Sequence, residues 1–84
     1  MTRLDKLILR IKRLDKSIRF EELRKVLEEY GYTMHIPGGG SSHRVFRKPG
    51  SQPITVPHNE PLKRIYIVLV RDMIESEEKI NEDN

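Results

Sequence analysis

One histidine in this chain stands where a turn gives way to a positively charged segment. His43 follows Gly38-Gly39-Gly40-Ser41-Ser42 and precedes Arg44, Arg47 and Lys48. An imidazole titrates near neutral pH, so it can take or give a proton. Guanidinium and ammonium groups hold phosphate oxygens, and successive backbone N–H groups in a turn can form a nest for an anion. By residue type and order the stretch suits gripping and cutting a phosphate backbone. His43 would act as general acid or base, and Ser42 would orient the histidine or the phosphate. Gly39, Gly40 and Ser41 would lend amides, while Arg44, Arg47 and Lys48 would bind phosphate. The competing reading is a solvated strand histidine beside a flexible hairpin loop that binds nothing.

The elements that must position these groups are strands. Tyr32, Met34 and Ile36 alternate with Thr33 and His35, the period of a strand with one covered face. Beyond the glycines, residues 43–48 read as a second strand and 52–56 as a third, with Ile54 and Val56 inward and Pro49-Gly50-Ser51 between them. Pro53 and Pro57 lack an N–H, so the third strand should lie at a sheet edge or be short. If Phe46 packs into the core, His43 points the other way, because an odd separation along a strand reverses the side chain. Val45 and Arg47 then share the open face with His43, joined by Thr33 and His35 from the neighbouring strand.

Helices flank the strands. Residues 3–16 carry Leu4, Leu7, Ile8, Ile11 and Leu14 at helical spacing among basic residues. This stripe can lie on its own domain, pair with a copy of itself or contact a membrane, and the lack of an aromatic anchor argues against the membrane. A second helix over 20–30 buries Phe20, Leu23, Val26, Leu27 and Tyr30. Glu21 and Glu22 sit in its favourable first turn, and Gly31 ends it in a left-handed conformation. A third helix, launched at Pro61, carries Leu62, Ile65, Tyr66, Leu69 and Met73 as far as residue 73. Its further apolar residues, Ile67, Val68 and Val70, would receive the first helix or a partner. Lys63 and Arg64 at its start either touch phosphates or form a solvated face. Residues 76–84 have little to bury and should fray.

Composition sets the frame. Eighty-four residues make one small domain, and the absence of cysteine removes disulfides and thiolate metal sites. The run Ile65 to Val70 is too short to span a bilayer, and no signal peptide is visible, so a cytoplasmic location is expected. The net charge is +3, but residues 75–84 hold five acids against one lysine, leaving fifteen Lys and Arg against eight acids on residues 1–74. A basic body suits a polyanion such as nucleic acid; the bland alternative is charged helix faces on an ordinary soluble protein. The glycines fit neither a Walker loop nor a dinucleotide fingerprint. His35, His43 and His58 lack metal-ligand spacing, so neither a metal nor a cofactor is expected. His35 and His58 read as solvated or capping groups, with assistance at the site the less favoured role.

The ordered set Phe20-Glu21-Glu22-Leu23, Gly31-Tyr32, Ser42-His43-Arg44-Val45-Phe46 and Ile54-Thr55-Val56-Pro57-His58-Asn59 resembles HicA-type toxins, the YcfA-like mRNA interferases of toxin–antitoxin pairs. Leu62-Lys63-Arg64-Ile65-Tyr66-Ile67 agrees more loosely. The resemblance implies an α+β fold like a double-stranded-RNA-binding domain: α-β-β-β-α, a three-stranded antiparallel sheet, helices on one face. It also implies metal-independent cleavage of mRNA with His43 as the active histidine, and silencing by a HicB-type antitoxin. The family usually places glycine directly before Ser-His, where this chain has Ser41. The expected organisation is an N-terminal helical extension over 1–17, the RNA-cleaving domain over 18–75 and an acidic flexible tail over 76–84. The rival readings are a non-catalytic RNA-binding module and a protein-interaction domain that forms a homodimer through its apolar helices.

Overall fold

The structure is a computed structural model and describes residues 1–39 and 42–82. Its elements run α1 (Arg3–Lys12), α2 (Phe20–Glu29), β1 (Thr33–His35), β2 (His43–Arg47), β3 (Ile54–Pro57) and α3 (Arg64–Glu82). The strands form one antiparallel sheet in the order β1-β2-β3, so β3 is an edge strand, four residues long, that ends at Pro57. This is the α+β architecture expected from the sequence, with α1 added before the α-β-β-β-α core.

Register follows from what the sheet must bury. Phe46 lies opposite Met34 on one side and Ile54 on the other, and Arg44 lies opposite Val56. Phe46 and Val56 are fully buried beneath the helices, with the Phe46 ring 6.1 Å from that of Phe20. The alternate residues, His43, Val45 and Arg47, therefore face away from the helices. Ile36, expected inward, lies beyond the three residues of β1 and is exposed.

Both short helices close in the same way. In α2 the N–H groups of Gly31 and Tyr32 donate to the carbonyls of Glu28 and Leu27, with Gly31 at φ +95°. In α1 those of Leu14 and Asp15 donate to Ile11 and Arg10, with Leu14 at φ +57°. Each is a Schellman closure around a left-handed residue. The second one stops α1 at Lys12, although apolar spacing extends to Leu14. Arg10 fixes the exit by bonding Asp15 at 3.1 Å, Glu22 at 2.7 Å and Ser17 at 2.9 Å. Leu7 and Ile11 of α1 enter the common core against α2 and α3.

The third helix departs furthest from its sequence pattern. It begins at Arg64, after Pro61, Leu62 and Lys63, and runs to Glu82 instead of ending near residue 73. Its buried line is Ile67, Val70 and Ile74, whereas Ile65 and Leu69 are exposed. Anchors hold the added turns: Ile74 is fully buried, Glu78 takes the Lys12 ammonium at 2.8 Å, and Glu77 takes Lys48 at 2.9 Å. The expected fraying of 76–84 is thus replaced by helix through residue 82.

Two stability effects follow. A Cβ at Gly31 would meet only the Lys48 side chain, at an ordinary 3.5 Å, so the cost of Gly31→Ala is backbone strain. That cost should be about 1–2 kcal/mol in chemical denaturation. Bonds from the Ser17 N–H and hydroxyl, then from Arg10, pull the Asp15 carboxyl down to about 2. A depressed carboxylate stabilises the fold above its unfolded pKa and loses that contribution as pH falls through the folded value. The stability gap between wild type and Asp15→Asn should therefore be full above pH ~4 and close towards pH ~2.

Candidate active site

At the end of the sheet nearest the start of α3, a cleft of about 190 Å³ opens between strand, loop and helix. His43 lines it from the start of β2 and Ser42 from the residue before, and Pro57 and Asn59 from the end of β3 and the following loop. Pro61, Leu62 and Lys63 close it from the approach to α3, and Tyr66 from the first turn of that helix. Three local features build this junction. Pairing of His43 with Pro57 brings the start of β2 beside the end of β3. One step beyond the pair, the His58 N–H donates to the Ser42 carbonyl at 2.7 Å. Glu60 accepts from the Phe20 N–H at 3.2 Å, fastening the 58–63 loop to the start of α2.

The cleft gathers an imidazole, a hydroxyl, an amide, an ammonium and a phenol, with no carboxylate in its lining among the described residues. Such a set offers a proton carrier and several donors to an anion. His43 is exposed, on the sheet face opposite Phe46. Among the described residues, no group of three or more His, Asp or Glu comes together as a metal-ligand set.

The residues singled out in the sequence divide into three groups. Ser42, His43 and Lys63 meet in the cleft. Arg47 lies on the same open sheet face, but further along β2, in a shallow depression with Thr33 and His35. Arg44 has the core-facing parity of Phe46, is half-buried and donates to the His43 carbonyl at 3.1 Å. Lys48 turns to the helix side, where its ammonium bonds Glu77 and lies 5.6 Å from the Tyr32 ring centre. Arg64 is exposed in the first turn of α3, outside the cleft lining. Gly39 is exposed at φ +83°, and Gly40 and Ser41 lie outside the described residues. His58 stacks on Phe20 with ring centres 4.4 Å apart, and its Nε2 is 4.0 Å from Glu21. It thus sits at the start of α2, not in the cleft lining and not as a cap on α3.

Asn59 and Tyr66 are the cleft residues that spacing did not single out. Helical spacing places Tyr66 on the buried stripe of the last helix, and its phenol is the one signal that this position faces something polar.

The two neighbouring cations make a contrast that can be measured. Lys48→Met should lower the denaturation midpoint by the equivalent of about 1 kcal/mol, because Glu77 loses a partner in a partly buried setting. Arg47→Ala should leave that midpoint unchanged.

Compared with known proteins, residues 20–76 match the family model of the HicA toxin of bacterial toxin–antitoxin systems. No curated protein and no solved structure matches the chain.

Proposed function

The chain belongs to the HicA toxin family, the toxin half of a toxin–antitoxin pair, and from that membership and the His43 cleft we propose that it is a metal-independent endoribonuclease acting on mRNA. The observation that carries the reading is that an exposed histidine of the uncovered sheet face and a lysine line one cleft, which among the described residues has no carboxylate in its lining. In the reaction, the 2′-oxygen of a ribose attacks the adjacent phosphorus and its proton passes to His43. The bond from phosphorus to the 5′-oxygen breaks, and that oxygen takes a proton from water. The products are a 2′,3′-cyclic phosphate and a 5′-hydroxyl. Lys63, with the Ser42 hydroxyl and the Asn59 amide, holds the phosphate oxygens as charge builds on them. Arg47, further along β2, takes a neighbouring phosphate of the same strand. A HicB-type antitoxin silences the enzyme, and the mRNA substrate places the activity in the cytoplasm.

His43→Ala should lower single-turnover cleavage of an RNA oligonucleotide by about 10²–10⁴-fold while leaving RNA affinity within a few-fold. A substrate with 2′-hydrogen at the scissile position should bind and stay intact. Retained cleavage by His43→Ala would remove this histidine from the chemistry. Lys63→Ala should weaken RNA binding and reduce the slope of log affinity against log salt by about one.

A further inference from the structure

Besides its buried line, α3 carries a second line, apolar at three of four positions, in which Leu69 and Ile80 are exposed and Met73 is half-buried at the edge of the core. Leu69, Met73, Ser76 and Ile80 recur at intervals of four, three and four residues, the spacing of a coiled-coil seam. Leu69 is 43% exposed and Ile80 55%, and Ile65, one turn earlier, is 61% exposed. The line borders a groove of about 450 Å³ whose other wall includes Pro53 and Ile54. Asp72 and Lys79, each one residue before an apolar seam position, stand exposed along its outer edge.

We propose that a second copy of this chain docks here, α3 against α3, antiparallel about a two-fold axis. In that register Leu69 of one copy meets the partner's Ile80, and Met73 meets the partner's Ser76. The same register sets Asp72 beside the partner's Lys79, and symmetry makes this contact twice. A parallel pairing would instead bring Asp72 towards the partner's Glu77, one carboxylate against another. Charge therefore favours the antiparallel arrangement, in which the partner's Lys79 would join Arg71 at the Asp72 carboxylate. Tyr66 marks the cleft on each α3, and the two marks would stand about 25 Å apart along the paired helices, by helical rise. Two cleavage sites at that spacing on one assembly is a consequence that rests on the nuclease reading; the dimer itself does not.

Sedimentation velocity on the full chain, from low micromolar to hundreds of micromolar, tests the proposal. The His43→Ala background suits it, because that change is remote from the seam. The mass should rise to twice the monomer value with concentration. Leu69→Lys should remain monomeric with an unchanged circular-dichroism spectrum. Asp72→Lys should weaken association about tenfold by setting lysine against lysine in both symmetric contacts. Adding Lys79→Asp should restore it. A wild-type chain that stays monomeric throughout overturns the proposal and leaves the groove to a different chain. A double variant that associates no better than Asp72→Lys overturns the antiparallel register.

Discussion

Burial of Phe46 is the constraint on which the geometry of the cleft depends. β2 is the central strand, so Phe46 is held from both sides by Met34 and Ile54 and from above by Phe20. Truncating a phenylalanine this well packed costs about 3–5 kcal/mol, a large fraction of what a small domain has. A one-residue slip of β2 would expose Phe46 and drive His43 and Arg47 under the helices, where unpaired charge is far costlier. The outward direction of the imidazole is thus fixed by a side chain three residues away that never touches the cleft. The ring contact of Phe20 with His58 extends the same control to the loop that forms the opposite wall.

Features set by local physics were legible in the sequence. Strand alternation placed Phe46 inward and His43 outward, the prolines put β3 at an edge, and Gly31 marked a left-handed helix end. Features set by distant partners were not. Residues 65–70 of α3 are apolar all the way round, so its sequence offers several candidate buried lines. Packing of α1 against α3 accompanies burial of Ile67, Val70 and Ile74, and Leu69 is left outside. Lys48 has the sequence neighbourhood of a phosphate ligand, but its partner Glu77 lies 29 positions away and is reached only through the fold. Asn59 and Tyr66 join His43 because the chain returns past β3 into α3, and no spacing rule contains that return.

The segments outside the family match are not appendages. The match ends at residue 76 and begins at residue 20, so it omits α1 and the final turns of α3. These omitted parts hold each other: Lys12 of α1 bonds Glu78 of α3, and that bond holds its ammonium above the ordinary lysine range. Leu7 and Ile11 complete the core over Ile74 and its neighbours. The cluster of acids that reads in sequence as a tail is, at Glu77 and Glu78, a set of counterions for the body.

That pairing changes what the net charge means for a polyanionic partner. Lys12, Lys48, Arg10, Arg24 and Arg71 all take part in ion pairs on the helical side or its edge. Among the described residues, neither Arg47 nor Lys63 does. Positive charge is therefore neutralised at those five positions, while Arg47 on the open sheet face and Lys63 at the cleft keep theirs. A phosphate chain feels the local field within about a Debye length of ~8 Å, not the sum over the whole sequence. The acids of the C-terminal helix, which in composition oppose nucleic-acid binding, thus act on Lys12 and Lys48 and leave Arg47 and Lys63 without a carboxylate partner among the described residues.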